Sequence, residues 1–304
     1  MLSICIPIHQ YPVRPLILAL QKEIQENNLP CNLICADDGS DQNTLKQNDF
    51  LLDDQSIQYE ALPQNIGRSA IRNHLARLSD QPFLLFLDVD VMPSYPDFLR
   101  RYLHDLSASI VVYGGTVYSA TPPEDPLKRF HWRYGHAKEQ IQSSRRNQDE
   151  YRSFKTNNFV VQRDFFLTNP LDESLTGYGH EDSLFAYRCA RQGVRIRHID
   201  NPVLHLGLEN QAVLIKKLES SLDNLYRLYQ KNELPETPLA AIFKPGMLRW
   251  LSGQLNGLLP VFRNKLTTDV AAPMILLDLY KLIYLKDHEQ KVMSSDPNNN
   301  PNGR

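Results

Sequence analysis

The chain has 304 residues, of which 42% are hydrophobic and 22% charged, and a formal net charge of -2. This balance excludes a mostly disordered, collagen-like or disulfide-scaffold protein. The near-neutral charge also excludes a global basic field for holding nucleic acid, so we expect no nucleic-acid partner. The length allows one large or two modest domains with a sizeable core.

Strand-like and helix-like segments alternate through the first 120 residues. Helical spacing of apolar residues predicts helices that include Leu16–Ile24 and 69–78. Apolar runs predict strands over Leu2–Ile8, 31–36, 57–62 and Phe83–Leu87. Such strands separated by helices are typical of a parallel sheet with both faces covered. Ligands bind beyond the carboxyl ends of these strands, and polar clusters follow two of them, after Ala36 and after Leu87.

The pattern changes beyond residue 120. A charged stretch over 138–152 predicts a flexible excursion of the chain. Apolar runs and periodicity then predict a strand over 154–162, a helix over 181–192, a short strand over 195–199 and an amphipathic helix over 212–231. The last 70 or so residues are predicted to form a helical appendage that ends in a disordered tail over 294–304.

Asp88-Val89-Asp90 follows a buried strand directly. In extended backbone, residues i and i+2 point the same way, so the two carboxylates share one face. Their mutual repulsion favours a cation or sugar hydroxyls between them, and hard oxygen ligands suit Mg²⁺ or Mn²⁺. The alternative is a pair of solvated turn acids.

Two further polar loops each have a plain structural interpretation beside a functional one. Asp37-Asp38-Gly39-Ser40-Asp41 is typical of a turn with a helix cap, but an acid there could also accept hydrogen bonds from a ligand. The loop at Asn65-Ile66-Gly67-Arg68 leads into a helix whose start, with Arg68 and Arg72, would favour phosphate.

Gly177-Tyr178-Gly179-His180-Glu181-Asp182 places two glycines and two acids at the start of a predicted helix. Acids in a first turn commonly complement the helix dipole. A functional interpretation is a carboxylate general base on backbone that a substrate can approach closely. His205 lies alone in an apolar run, where a buried core residue and a ligand are both plausible.

Neither the N-terminal segment nor any apolar run has the features of a signal peptide or a membrane span. The four cysteines form no Cys-x-x-Cys pair, and we expect a reducing, cytoplasmic setting.

Five elements in one order resemble the inverting family 2 glycosyltransferases of GT-A fold. They are Ile4-Cys5-Ile6-Pro7, Ala36-Asp37-Asp38-Gly39-Ser40, the stretch from Asn65 to Asn73, Phe86-Leu87-Asp88-Val89-Asp90, and Gly177 to Asp182. The last of these also looks like the corresponding motif of galactosyltransferases. The resemblance covers about residues 2–210 and implies an α/β fold with a Rossmann-like, mostly parallel central sheet and a C-terminal helical appendage.

The resemblance also implies roles for single residues. Pro7, His9 and Asp38 should line the nucleoside pocket, with Asp38 accepting from the base. Arg68, Arg72 and Asp88 should lie near the base, diphosphate or sugar. Asp90 should bind a Mn²⁺ or Mg²⁺ ion, with His205 as a further ligand. Asp182 matches the catalytic base, and Glu181 and Tyr178 should contact the acceptor. The family commonly has Thr-Tyr-Asn where this chain has Ile8-His9-Gln10, so the motif is a weaker guide to the nucleotide preference.

From this resemblance we expect a catalytic domain over 1–210, with its nucleotide-sugar part over about 1–118 and its acceptor part over about 119–210, followed by a helical extension over 211–293. The expected donor is a UDP-sugar and the expected acceptor a sugar or a lipid-linked sugar. The extension is open to three interpretations: peripheral membrane contact, self-association, or packing within the chain.

Two other functions stay open on the sequence. One is an inactive nucleotide-sugar-binding or scaffold protein. The other is a metal-dependent nucleotidyltransferase, which would normally carry a glycine-rich phosphate loop after the first strand, and no such loop follows Ile8.

Overall fold

A computed structural model describes residues 1–106, 109–233, 238–244 and 253–295. Ten strands are β1 Leu2–Ile8, β2 Cys31–Asp37, β3 Ile57–Ala61, β4 Phe83–Leu87, β5 Val91–Pro93, β6 Val111–Tyr113, β7 Thr116–Val117, β8 Asn158–Gln162, β9 Ile196–His198 and β10 Val203–His205 within these residues. The α-helices there are α1 Arg14–Asn27, α2 Gln42–Gln47, α3 Phe50–Asp53, α4 Arg68–Leu78, α5 Phe98–Asp105, α6 Arg129–Lys138, α7 Ser143–Arg146, α8 Arg163–Thr168, α9 Glu181–Arg191, α10 Gln211–Gln230, α11 Leu259–Thr268 and α12 Met274–Ser295. Short 3₁₀ turns cover Pro126–Lys128, Pro238–Phe243 and Asn256–Leu258.

The chain divides into two units, each with its own core. The first comprises Met1–Thr121, Gly135–Thr176 and Glu181–Leu208, and the second comprises Pro122–Tyr134, Gly177–His180 and Glu209–Arg304. Of the tail predicted over 294–304, Ser294 and Ser295 end helix α12, and the rest lies outside the described residues. The predicted division into functional domains stays a prediction.

A seven-stranded sheet in the order β3-β2-β1-β4-β8-β6-β9 forms the centre of the first unit. Strands β3, β2, β1 and β4 are parallel, as the apolar runs predict. Strand β8 is antiparallel to both neighbours, β4 and β6, so the sheet is mixed rather than purely parallel. Sequence patterning does not distinguish the two directions, because a strand buried on both faces is apolar throughout in either case.

Alternating side chains of the central strands supply the cores on the two faces of this sheet. Ile4, Ile6 and Ile8 belong to the core that includes side chains of α1 and α5. Cys5 and Phe86 belong to the opposite core, which includes side chains of α4, α8 and α9. This alternation follows from the two-residue period of a strand. The predicted fold class, a mostly parallel α/β sheet flanked by helices, is confirmed.

A second, three-stranded sheet in the order β5-β10-β7 lies within the same unit. Its central strand β10 runs antiparallel to β5, and His205 pairs with Val91 in the register. The backbone N–H of Leu206 donates to the carbonyl of Asp90 at 2.8 Å. Residues far apart in the chain are therefore fixed beside each other through backbone hydrogen bonds.

The second unit is helical. Side chains of α10, α11 and α12 share one core with Phe130, and a further core lies around Leu225, Ile242 and Leu285. This confirms the C-terminal helices that the sequence predicts. Among the helices of the described ranges, none is long and apolar enough to cross a membrane.

The charged stretch over 138–152 is more ordered than its composition predicts. Arg146, in helix α7, is buried, and its guanidinium donates to the carbonyls of Ile141, Gly114 and Ile199 at 2.6, 3.0 and 2.7 Å. Its Nε donates to Nδ1 of His198 at 3.2 Å. A buried arginine that donates to several backbone carbonyls cannot be recognised from the sequence, because residues of every type have a backbone carbonyl.

The contacts of His198 predict a pH dependence of stability. Burial lowers the pKa of His198 from 6.5 to about 4, and the neighbouring Arg146 acts in the same direction. The unfolded chain therefore takes up a proton near pH 6.5, and the folded chain does so only near pH 4. The free energy of unfolding should thus fall by up to about 3 kcal/mol as the pH is lowered from 6.5 to 4. Urea denaturation at pH 7.5 and 4.5 should show a flatter dependence for His198→Asn than for the wild type. An unchanged slope in the variant would contradict this assignment.

Candidate active site

Polar residues collect beyond the carboxyl ends of β1, β2 and β4, at the position where the strand order reverses between β1 and β4. His9 follows β1, Asp38 follows β2, and Asp88 follows β4. Pro7, within β1, pairs with Ala36 in the register and is half-buried. The structure therefore brings the residues predicted for the nucleoside pocket to one edge of the sheet.

Asp38 organises the loop that precedes helix α4. Its Oδ1 accepts from the backbone N–H of Ile66 at 2.6 Å, and its Oδ2 accepts from that of Gly67 at 3.2 Å. Its backbone carbonyl lies 2.9 Å from Nδ1 of His9 and 3.2 Å from Nδ2 of Asn65. A carboxylate has about four lone-pair sites, so contact with a base stays a prediction beside this loop-holding role.

A chain of ion pairs joins residues that lie more than 100 positions apart in the sequence. Arg72, buried at 3% exposure, pairs through Nη2 with Oδ1 of Asp88. Arg68 lies with Nη2 3.7 Å from Oδ2 of Asp88 and with Nε 3.3 Å from Oε1 of Glu181. The start of helix α4 thus holds the Asp88 motif and the first residue of helix α9 together.

The two acids of the Asp-x-Asp motif have different electrostatic surroundings. Burial opposes ionisation of Asp88, but Arg72 and Arg68 outweigh it and hold the pKa below its usual value. Burial raises the pKa of Asp90, and the nearby Asp88 adds to this rise while His205 opposes it. Asp88 is therefore an anion that is already neutralised by arginines. The ionised form of Asp90, in contrast, would be stabilised by a bound cation.

Asp90 and His205 face each other across the small sheet. His205 Nδ1 lies 3.9 Å from Asp90 Oδ2, and a Cβ atom on Gly207 would overlap the Asp90 carboxylate. Within the described ranges, no group of three or more His, Cys, Asp and Glu side chains could hold a metal ion by itself. The Asp90 carboxylate nevertheless fits Mn²⁺ or Mg²⁺ when substrate phosphates complete the coordination, which is how Mg²⁺ is usually bound.

Asp182, the predicted base, lies in the first turn of α9. Its Oδ1 accepts from the backbone N–H of Ser183 at 2.6 Å, and its Oδ2 lies 3.4 Å from Nζ of Lys155. Lys155 is not among the residues predicted from the sequence. The only signal was its place in the polar stretch between Phe154 and Phe159, just before β8.

Tyr178 belongs to the second unit, where helix α10 contacts it. Its backbone N–H donates to Oγ of Ser220 at 3.1 Å, and its ring centroid lies 5.2 Å from Nζ of Lys217. Cβ atoms on the glycines beside it, Gly177 and Gly179, would meet the side chains of Ser220 and Ser221. The close approach of a substrate to this backbone stays a prediction.

Comparison with known proteins agrees with this architecture. The sequence profile described as Glycosyl transferase family 2 matches residues 3–169, more than half of the chain. The chain belongs to glycosyl transferase family 2. Curated protein sequences contain no match to it.

Two solved structures show the shared fold. The mannosyltransferase PcManGT from Pyrobaculum calidifontis, in complex with GDP-Man and Mn²⁺, superposes with a TM-score of 0.57 at 13% identity, over 97% of this chain and 88% of the other. TarS from S. aureus superposes with a TM-score of 0.50 at 16% identity, over 93% of this chain and 54% of the other. The fold is that of the GT-A glycosyltransferases.

Proposed function

We propose that this protein transfers a hexose or N-acetylhexosamine from a nucleoside-diphosphate sugar, with UDP as the expected nucleotide, to a sugar or glycolipid acceptor with inversion. Such a reaction would serve polysaccharide or glycoconjugate synthesis. The observation that carries the proposal is the position of Arg68 between Asp88 and Glu181. It joins the proposed donor side to the helix that bears the expected base.

On the donor side, the nucleoside would contact Pro7, His9 and Asp38. Arg68 and Arg72 already neutralise Asp88, so a sugar hydroxyl can be accepted there without a further cation. The complex of PcManGT with GDP-Man supports a nucleotide-sugar donor for this fold.

We assign the metal to Asp90 and His205. A divalent ion bound there together with the diphosphate would stabilise the negative charge of the leaving group as a Lewis acid. The Mn²⁺ in the PcManGT complex supports this assignment. The carboxylate of this pair suits either Mn²⁺ or Mg²⁺.

On the acceptor side, Asp182 would remove the proton from the attacking hydroxyl. The acceptor oxygen then forms a bond to the anomeric carbon as the bond from that carbon to the diphosphate oxygen breaks, and the diphosphate leaves with the electron pair. A single displacement of this kind inverts the anomeric configuration. Lys155 Nζ lies 3.4 Å from Oδ2 of this base, and Glu181 and Tyr178 are the expected acceptor contacts.

A donor screen tests this proposal. Purified protein is incubated with UDP- and GDP-sugars, Mn²⁺ and a panel of saccharide acceptors, and released nucleotide and glycosylated product are both measured. We expect acceptor-dependent release with at least one donor and an anomeric configuration in the product opposite to that of the donor. Donor binding without turnover across the panel would instead favour an inactive binding protein, and retained configuration would contradict inversion.

A further inference from the structure

Helix α10, in the C-terminal appendage, has one polar face. Lys217, Ser220, Ser221 and Asn224 follow helical spacing and therefore share this face. None of the five elements that identify the family includes this helix. The segment that packs on the face is Gly177–His180, which lies in the same unit.

Asn224 is the buried anchor of this face, with an exposed fraction of 1%. Its Nδ2 donates to the backbone carbonyls of Tyr178 and Gly179 at 3.3 and 3.1 Å. Ser220 accepts from the N–H of Tyr178 at 3.1 Å. The backbone of the segment is thus held at three polar groups by two side chains of one helix.

The conformation of the segment needs such support. Gly177, Gly179 and His180 have φ values of 78°, 89° and 70°, in the left-handed region. A residue with a side chain, such as His180, rarely adopts this region and does so where its surroundings dictate it. The chain runs from His180 straight into Glu181 and Asp182.

We propose that Asn224 is a positioning residue for use of the acceptor: by binding two carbonyls of the Gly177–His180 segment, it orients Tyr178, an expected acceptor contact. This inference rests on the proposed glycosyl transfer and deepens it. It assigns the C-terminal helices a part in the reaction itself, through α10.

A matched pair of variants tests the inference. Asn224→Asp keeps the shape of the side chain but turns an oxygen toward two carbonyl oxygens. Gln211→Glu makes the equivalent change elsewhere on α10, where the buried Gln211 amide donates to the carbonyls of Leu266 and Asp269. Acceptor and donor kinetics are measured for both, together with thermal denaturation and hydrogen exchange over residues 176–183.

We expect Asn224→Asp to lower kcat/KM for the acceptor about 10- to 100-fold, since small misplacements of a reacting group have effects of this size. The dissociation constant for the donor should not change, and hydrogen exchange over 176–183 should accelerate. Gln211→Glu should alter thermal stability without either effect. If Asn224→Asp does not fold, Ser220→Ala, which removes one acceptor of the same face, is measured instead.

Wild-type acceptor kinetics in folded Asn224→Asp would overturn the positioning role alone. The same result in Ser220→Ala would do so if Asn224→Asp does not fold. Equal loss in Asn224→Asp and Gln211→Glu would also overturn it, because a general loss of stability would then explain both. Absence of transfer by the wild-type protein with every donor would overturn the proposed function, and the positioning role with it.

Discussion

Replacement of Asp182 by asparagine is expected to lower glycosyl transfer about 10²–10⁴-fold, the range typical of losing a general base. The amide keeps the size of the side chain but cannot take a proton from an acceptor hydroxyl. Donor binding should be unchanged, because the proposed donor contacts lie on other elements. Steady-state rates with saturating donor and acceptor, together with calorimetric titration of the donor, measure the two effects separately.

Asp105→Asn is the matched control for this variant. The Asp105 side chain is 17% exposed and pairs with Arg197 at 2.8 Å, much as the Asp182 side chain is 13% exposed and pairs with Lys155 at 3.4 Å. Asp105 lies in α5 and has no proposed role in transfer, so its variant should keep the wild-type rate. Near-normal transfer by Asp182→Asn would refute the assignment of the base.

The second large effect is expected from Asp90→Asn, with a fall in kcat/KM of about 10²–10³-fold. One preorganised group that stabilises charge developing in the transition state typically contributes this much. EDTA should abolish the activity of the wild type, and added Mn²⁺ should restore it. In the variant, far more Mn²⁺ should be needed for the same activity, as measured by initial rates over a range of Mn²⁺ concentrations.

Gly207→Ala tests the same site from the other side. The added methyl group would overlap the Asp90 carboxylate and should displace it, so the apparent affinity for Mn²⁺ should weaken as in Asp90→Asn. Gly257→Ala is the control, because a Cβ atom there would meet nothing within 4 Å. Full activity of the EDTA-treated wild type would show that the metal assignment is wrong.

Much of the first unit follows from local patterning. The bounds predicted for β1 and β4 agree with the structure, and helix α4 begins one residue earlier than predicted. These elements are short, apolar and bounded by polar residues, so the period of hydrophobicity determines their type. The antiparallel direction of β8 could not be predicted from this patterning, because strand direction depends on connections and not on composition.

The candidate site residues could be predicted from the order of their motifs along the chain, but the residues with which they form ion pairs could not. The pairing of Arg68 with both Asp88 and Glu181 depends on how α4 and α9 flank the sheet, which no local pattern encodes. Lys155 was overlooked for the same reason. The glycines at 177 and 179 stand out in the sequence, but the packing of Ser220 and Ser221 of helix α10 against them does not follow from it.

The small sheet has a consequence for how donor preference can diverge. Backbone hydrogen bonds of the β5–β10 pairing hold Asp90 beside His205, so their spacing is set by main-chain geometry. His9 and Asn65, in contrast, are exposed loop side chains, and His9 is a proposed contact of the nucleobase. Under the proposed function, we expect substitutions in these two loops to change which base is accepted without changing the spacing of Asp90 and His205.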